Sequence, residues 1–206
     1  EPIGGKWNPR LLWRLSSGPL RHSPLRRALP GVSQRVECAA MEQLPMKDCL
    51  QRQREAYLAH PVPTLAERQA DLRTLERFVR EQRDAICDAI SADYGHRSRH
   101  ETLLAEVVPV LDDLKSTRKH LGEWMKPQRR SIDRLVFGLA SNRVVPQPVG
   151  VVGVIVPWNF PLNLSFIPLA AIFAAGNRAM VKMSENSRHL ARLFIELMPA
   201  YFPPEK

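Results

Sequence analysis

The 206-residue sequence contains only three cysteines, Cys38, Cys49 and Cys87, and no two of them form a C-x-x-C pair. An odd number of cysteines without metal-ligand spacing argues against a disulfide framework and against a structural zinc site. Cys87 falls on the apolar side of a helical pattern, which predicts a small buried hydrophobe and not a nucleophile. The cysteine content therefore indicates a reducing compartment, and we expect a cytoplasmic location.

The sequence also lacks the common phosphate and metal fingerprints, since it has no G-x-G-x-x-G, no P-loop and no H-E-x-x-H. His96 and His100 have the i, i+4 spacing of a metal-binding pair, and Glu101 is adjacent. His96 follows Gly95 in a predicted loop, however, so the two rings need not share a helical face. A polar helix start is the simpler interpretation, and we expect no metal site.

Long uninterrupted apolar runs are missing as well. Residues 144–177 contain no charged side chain, and a membrane-spanning helix needs about 20 apolar residues. Prolines interrupt this stretch repeatedly, together with Gly150, Gly153 and Asn159. The stretch therefore predicts a soluble core, and we expect no membrane partner.

The positive charge is concentrated at the start of the chain. Residues 1–40 hold seven Lys and Arg against two acidic residues, which is more than half of the net charge of +9. This distribution argues against nucleic-acid binding by the whole chain. The same residues contain five prolines and no sustained period, so we expect a disordered basic extension. We favour translated non-coding sequence before Met41 as its origin, a transit peptide second and a basic nucleic-acid arm third.

Three helical patterns follow the extension. A short helix over residues 46–59 ends at Pro61 and Pro63, and a T-x-x-E capping box then opens a helix over 65–94. A third helix is predicted over 99–125, with a kink at Pro109. The predicted inward residues of the last two helices are Leu72, Leu75, Val79, Ile86, Ile90, Leu104, Val107, Leu111, Leu114, Leu121 and Trp124.

The periodicity changes after Pro127. Residues 133–139 and 142–148 predict two short strands of a hairpin. The β-branched run at 149–157 predicts a strand buried on both faces. A helix over 162–175, a second strand over 178–183 and an amphipathic helix from Ser187 to Tyr201 complete the pattern. This order predicts an α/β fold, in which N-terminal helices and a β-arm precede the first βαβα of a Rossmann-like parallel sheet.

The segment Pro157-Trp158-Asn159-Phe160-Pro161 comes directly after the first predicted parallel strand. Ligands of open α/β sheets bind beyond the carboxyl ends of the strands, so the Asn159 carboxamide is expected at the mouth of the sheet. A fixed amide N–H there can donate to a developing oxyanion. An asparagine that merely closes a turn or caps the next helix is an alternative that the residues alone favour.

Lys182 and Glu185 leave the sheet at the end of the next predicted strand. Such a pair can hold the hydroxyls of a ribose, which is the role of an acidic residue in dinucleotide sites. A solvated lysine and a first-turn glutamate that favours the helix dipole is the alternative.

The run QPVGVVGVIVPWNFPLNLSFIPLAAIFAAGNRAMVKMSE at 147–185 resembles the aldehyde dehydrogenase superfamily. It matches in the strand, the PWNFP turn, the AAGN helix end and the K-x-S-E strand end. The stretch YGHRSRHETLLAEV at 94–107 is similar to the coniferyl-aldehyde dehydrogenase branch. One departure is the absence of the proline that often follows the Lys-x-x-Glu, although Ser187 can still cap the next helix.

The resemblance implies a role for each matching residue. Asn159 would be the oxyanion-hole asparagine. Ile155, Pro157 and Trp158 would line the cofactor cleft. The adenosine ribose would be held by Lys182 and Glu185, and Ser184 between them would also bind the cofactor. The implied cofactor is NAD or NADP, and the Glu185 carboxylate favours NAD because it repels a 2′-phosphate.

The implied reaction is oxidation of an aldehyde, aromatic or long and apolar, to a carboxylic acid, in a homo-oligomer that is a dimer or tetramer. The cysteine nucleophile and glutamate base of the family lie downstream of residue 206, so we expect this chain alone to be inactive. The expected divisions are an extension at 1–40, a helical segment at 41–130, a β-arm at 131–149 and a truncated cofactor domain at 150–206. A non-catalytic structural or oligomerisation fragment is the alternative, and a membrane-associated protein is a weaker one.

Overall fold

The computed structural model describes residues 43–206, with side chains from residue 46 onward. The predicted disordered extension at 1–40, including Cys38, lies outside the described residues. Helix α1 spans Gln43–Ala59, and Pro61 and Pro63 follow it as predicted. The chain divides into two units after Gln51, within α1, and every later element belongs to the unit Arg52–Lys206.

The predicted capping box is present at the start of the second helix. The Thr64 hydroxyl accepts the N–H of Glu67 at 3.3 Å, and the Glu67 carboxylate accepts the N–H of Thr64 at 2.6 Å. The single helix predicted over 65–94 is instead two, α2 at Leu65–Glu81 and α3 at Arg83–Tyr94. The break lies at Gln82, with φ −97° and ψ 10°, where neither glycine nor proline marks it.

The inward face predicted for these two helices is confirmed. Helix α3 ends at Gly95, whose φ of +87° is a left-handed conformation that glycine adopts without steric cost. Cys87 is buried as predicted, and burial raises the pKa of its thiol. The buried residues that match the prediction are Leu72, Leu75, Val79, Ile86 and Ile90.

The third predicted helix contains a wide π-helical turn instead of a simple kink. Helix α4, Arg99–Thr102, continues into the π-turn Leu103–Val107 and then into α5, Val108–Trp124. Pro109 has no N–H to donate to the carbonyl of Ala105 four residues earlier. That carbonyl instead accepts the side-chain amide of Asn163 at 3.1 Å.

The π-turn changes which residues face the core. Leu104 and Trp124 were predicted inward but are 72% and 53% exposed. The extra residue in a π-turn rotates the preceding positions relative to the following ones, and the buried polar residues of this segment are Thr102 and Glu106. Trp124 stacks on the outside of its helix against His120, with ring centroids 5.9 Å apart. The predicted inward residues Val107, Leu114 and Leu121 are buried.

The β-arm is an antiparallel pair, but its first strand is not the predicted one. Strand β1, Gln128–Arg130, pairs with β2, Asn142–Val144. The strand predicted at 133–139 is wrong, because residues 134–137 form a helical turn, α6 (Arg134–Phe137). The Asp133 carboxylate caps this turn by accepting the N–H of Leu135 at 2.9 Å.

The parallel pair on which the predicted site depends is confirmed. Strand β3, Val151–Ile155, is parallel to β4, Arg178–Lys182, and helix α7, Asn163–Ala174, connects them. The prediction that the first strand is buried on both faces is wrong, since Gly153 and Ile155 are exposed. In the described part of the chain this sheet has only these two strands, so the apolar run is covered incompletely.

The last helix completes the core. Helix α8, Arg188–Leu197, is followed by a 3₁₀ turn at Met198–Ala200, so the helix predicted to reach Tyr201 ends earlier. Phe194 of α8 and Phe166 of α7 pack with their ring centroids 5.5 Å apart. The predicted α/β fold class is confirmed, and no helix within residues 43–206 is long and apolar enough to cross a membrane.

Candidate active site

The PWNFP turn leaves the carboxyl end of β3 and leads into α7. The N–H of Val156 still donates to the carbonyl of Lys182 at 2.9 Å, so the strand pairing extends to the start of the turn. Asn159 is exposed, and its side-chain amide makes no hydrogen bond within the described residues. The carboxamide is therefore presented at the edge where the resemblance implies an oxyanion donor, and it does not cap the next helix.

The backbone of the turn is held by side chains from the last residue of α3 and from the segment after it. The Tyr94 hydroxyl lies 2.6 Å from the carbonyl oxygens of both Trp158 and Asn159, which share its one proton. Partial burial raises the pKa of Tyr94, so this hydroxyl remains a neutral donor. Arg97 donates to the Asn159 carbonyl at 3.3 Å and lies over the ring of Phe160 at 5.0 Å.

A fully buried carboxylate holds the other end of the turn. The Glu106 carboxylate accepts the N–H of Leu162 at 2.7 Å and that of Asn163 at 3.2 Å, at the beginning of α7. Its second oxygen accepts from Arg97 at 2.8 Å. Burial raises the pKa of Glu106, while the two N–H donors and Arg97 act in the opposite direction. The positive end of the helix dipole and the guanidinium together offset part of the desolvation cost of this carboxylate.

The predicted ribose-binding residues lie at the adjoining strand end. Lys182 is the register partner of Ile155, so the segments that carry Asn159 and Glu185 leave the sheet at the same edge. The Ser184 hydroxyl accepts the N–H of Asn186 at 3.2 Å, which turns the chain toward α8. The side chains of Lys182 and Glu185 are exposed.

A cavity of about 440 Å³ lies beside this edge. Trp158 and Glu185 line it, together with residues from the end of α3 and the start of α8. Its size falls in the usual range for small-molecule sites. The structure thus brings Trp158 and Glu185 to one cavity, whereas Ile155, Pro157, Asn159, Lys182 and Ser184 are not among the residues that line it.

The start of α8 is capped by Asp93 and not, as predicted, by Ser187. The Asp93 carboxylate accepts the N–H of His189 at 2.8 Å and that of Leu190 at 3.1 Å. The Ser187 hydroxyl is buried without a hydrogen-bond partner. A charged acceptor from α3 has replaced the weaker local hydroxyl, because it satisfies two orphan N–H groups at once.

Sequence reasoning did not identify Asp93, Tyr94, Arg97 and Glu106 as parts of the site. One signal was present: Glu106 is an acidic residue inside the apolar run that precedes Pro109. A carboxylate at such a position needs buried partners. The described residues contain no group of three or more His, Cys, Asp and Glu side chains arranged to hold a metal ion.

A second cavity, of about 400 Å³, lies between α5 and α7 and is closed on one side by Pro146 and Gln147. Its lining is mostly apolar but includes Asp113, and desolvation raises the pKa of this carboxyl. Neither Asn159 nor Glu185 lines this cavity, so we treat it as separate from the site at the sheet edge.

Comparison with known sequences gives one consistent family. A sequence model of the aldehyde dehydrogenase family matches residues 33–205. A probable coniferyl aldehyde dehydrogenase of Pseudomonas aeruginosa is 46% identical over 155 residues, which are 75% of this chain and 32% of that protein. Human aldehyde dehydrogenase family 3 member B1 is 35% identical over 157 residues, covering 76% of this chain and 33% of that protein. The chain spans about a third of the length of these curated relatives.

Comparison with solved structures supports the fold. The substrate-bound AldH of Staphylococcus aureus matches with a TM-score of 0.73 at 24% identity, over 78% of this chain and 34% of that one. The NADP⁺ complex of succinic semialdehyde dehydrogenase from Streptococcus pyogenes matches with a TM-score of 0.66 at 24% identity, over 76% and 33%. At this level of identity the likeness establishes the architecture alone.

Proposed function

The chain belongs to the aldehyde dehydrogenase family, and from this membership we propose that the protein containing it oxidises an aldehyde with NAD(P)⁺. The overall reaction converts aldehyde, NAD(P)⁺ and water to carboxylate, NAD(P)H and two protons. The observation that carries the proposal is the parallel register of Ile155 with Lys182. This register brings the PWNFP turn and the K-x-S-E segment to one edge of the sheet, beside a cavity lined by Trp158 and Glu185.

The residues present fit the adenosine half of a dinucleotide. Glu185 offers a carboxylate to ribose hydroxyls, and Trp158 offers an aromatic surface half open to solvent. Lys182 and Ser184 stand at the same strand end, and Ile155 and Pro157 form the approach from β3. When bound, the dinucleotide supplies hydride acceptance, while these residues hold and orient it. The carboxylate of Glu185 makes NAD the preferred cofactor in this proposal.

Asn159 is proposed to stabilise charge on the reacting oxygen. Its side-chain amide is unpaired within the described residues and lies on a turn whose backbone is fixed at both ends. A donor that is already oriented needs no reorganisation when an oxyanion forms, and loss of such a donor costs about 3 kcal/mol in the barrier.

The relatives favour an aromatic substrate. The name of the Pseudomonas relative identifies coniferyl aldehyde as its substrate, and we propose an aromatic aldehyde of this kind for the present protein. A cytoplasmic location and the division into a helical segment, a β-arm and a cofactor domain remain predictions.

The cysteine of the unit Arg52–Lys206, Cys87, is not suited to act as the nucleophile. Cys87 is buried, burial raises its thiol pKa, and it does not line the cavity with Trp158 and Glu185. We therefore propose that residues 1–206 alone bind the adenosine part of the cofactor but do not turn over an aldehyde.

The test compares this chain with the complete gene product that contains it, following NADH absorbance with coniferyl aldehyde. Activity of the complete protein that Asn159→Ala reduces at least about a hundredfold supports the proposal. Steady NADH formation by residues 1–206 above blank contradicts the proposed inactivity of this chain. An inactive complete protein with every aldehyde tested contradicts the proposed reaction.

A second role, oligomerisation, is favoured by the arm. Leu135 and Leu139, on and beside α6, are almost fully exposed, and Val136 and Phe137 are also exposed. An exposed apolar cluster of this kind marks a protein contact. We propose that the arm contributes to a homo-oligomer, which sedimentation of the protein with and without residues 127–149 would test.

A further inference from the structure

Arg97 and Glu106 form an ion pair directly behind the turn that carries Asn159. The side chain of Arg97 is 4% exposed and that of Glu106 is not exposed, and their atoms Nη1 and Oε1 are 2.8 Å apart. Transferring a charge from water to the protein interior costs several kcal/mol, so a buried ion pair contributes little net stability. The guanidinium is also incompletely paired, because Nη2 of Arg97 is buried without a hydrogen-bond partner and Nε has only an ion pair with the exposed Glu101 at 3.3 Å.

The contacts of the pair converge on one short segment. Arg97 Nη1 reaches both the Glu106 carboxylate and the carbonyl of Asn159. The other carboxylate oxygen of Glu106 receives the N–H groups of Leu162 and Asn163. One ion pair thus fixes the backbone on both sides of Phe160, at the residue that bears the carboxamide and at the beginning of α7.

The ring contacts of Arg97 restrict the same segment from the side. Its guanidinium carbon lies 4.9 Å from the Tyr94 ring centroid and 5.0 Å from that of Phe160. Tyr94 in turn binds the carbonyls of Trp158 and Asn159. The guanidinium is therefore enclosed between two aromatic rings and cannot leave the turn without losing every one of these contacts.

We infer that Arg97 and Glu106 are positioning residues that set the direction of the Asn159 carboxamide toward the reacting oxygen. This inference rests on the proposed oxidation of an aldehyde. A donor fixed on an exposed turn is useful only if its backbone does not move, and a misplacement of about 1 Å can cost about a hundredfold in rate. Both side chains are buried behind the turn, so both would act through Asn159.

The first test needs no activity. Hydrogen exchange is measured on the complete gene product, comparing the wild type with Arg97→Met and with the charge-free double variant Arg97→Met/Glu106→Gln. The double variant avoids an unpaired buried charge and stays testable if Arg97→Met does not fold. The amides of Leu162 and Asn163, which donate to Glu106, should exchange at least about tenfold faster in the double variant.

The matched control is Arg68→Met. Arg68 is also a buried arginine, but it donates to the carbonyls of Pro63 and Ala174, at the other end of α7. Its replacement should leave exchange at Leu162 and Asn163 unchanged. Unchanged exchange in the Arg97 variants would overturn the inference whatever the activity of the protein.

The second test is a kinetic cycle with Asn159→Ala. The charge-free double variant should lower kcat by about tenfold to a hundredfold with Asn159 present, with the KM for NAD within about twofold. In an Asn159→Ala background the same change should cost less than about twofold. With Asn159 and Glu106 present, Arg97→Lys keeps the positive charge, so its kcat should fall by less than that of the charge-free double variant. Equal losses in both backgrounds would overturn the inference, whereas absence of activity in the wild type would count against the proposed function instead.

Discussion

Asp93 and His189, 96 residues apart, are joined twice through one carboxylate oxygen. That oxygen accepts the backbone N–H of His189 at 2.8 Å and lies 2.9 Å from its ring nitrogen Nδ1. The second oxygen accepts the N–H of Leu190. The last turn of α3 therefore fixes the start of α8, and both line the cavity that contains Glu185.

Replacement of Asp93 should weaken the attachment of α8. Asp93→Ala leaves two helix N–H groups without their acceptor, so the free energy of unfolding should fall by about 1–2 kcal/mol. Asp93→Asn keeps one acceptor oxygen, so its free energy of unfolding should fall by less. Urea unfolding of the 206-residue chain measures both. Asp112→Ala, an exposed acidic residue on α5, should leave the midpoint unchanged, and an equal effect of Asp93→Ala and Asp112→Ala would contradict the capping role.

The start of the sheet was predictable because its signals are local. An apolar run after Pro148 and another after Asn177 predict strands, and the helix between them requires a parallel connection. The register that follows places Lys182 opposite Ile155. The sequence alone therefore predicts that Trp158 and Glu185 lie at the same edge of the parallel sheet.

The network behind the turn was not predictable, because its partners are distant in sequence. Tyr94 and Arg97 are more than 60 residues from the carbonyl of Asn159 that they contact. Glu106 lies inside the π-turn, and hydrophobic periodicity, which assumes an uninterrupted α-helix, does not predict that an acidic residue is buried there. The break between α2 and α3 at Gln82 was also not predictable, because no glycine or proline marks it.

Asp113 should make the stability of the chain depend on pH. Desolvation raises its folded pKa above the value in the unfolded chain. The stability that this group contributes is therefore present below the unfolded pKa and is lost as pH rises through the folded pKa. Asp113→Asn lacks this loss, so its advantage over the wild type should grow with pH from about 4 upward.

Unfolding midpoints of the two proteins, measured at several pH values, would test this. Asp112→Asn, the same change at the neighbouring exposed residue, is the control for the substitution itself. A constant difference between Asp113→Asn and the wild type at all pH values would contradict the assigned pKa direction.

The capping box formed by Thr64 and Glu67 should give a dependence of stability on pH that is opposite in sign to that of Asp113. The Thr64 hydroxyl is the largest cause of the lowered folded pKa of Glu67, with the Thr64 backbone N–H next. A lowered carboxyl pKa contributes stability that is present above the unfolded pKa and is lost as pH falls through the folded pKa. Thr64→Val should therefore be less stable than the wild type at neutral pH, by a margin that narrows below about pH 4.

Thr74→Val provides the comparison for Thr64→Val. The Thr74 hydroxyl donates to the carbonyl of Ala70 in the same helix at 3.0 Å. Its replacement should change stability by an amount independent of pH. A pH-independent margin for Thr64→Val as well would show that the hydroxyl does not act through Glu67.

Glu185 should determine which nicotinamide cofactor the complete gene product prefers. A carboxylate near the ribose repels the 2′-phosphate of NADP, so the wild type should bind NAD more tightly. Glu185→Gln removes the negative charge and keeps the shape, and the ratio of the two dissociation constants should narrow by at least about tenfold, or roughly 1.4 kcal/mol.

Quenching of tryptophan fluorescence on titration with NAD or NADP reports both dissociation constants, since Trp158 lines the same cavity as Glu185. Glu196→Gln, an exposed change near the far end of α8, should leave the ratio as it is. Tighter binding of NADP by the wild type, or the same ratio in Glu185→Gln, would remove Glu185 from the cofactor site.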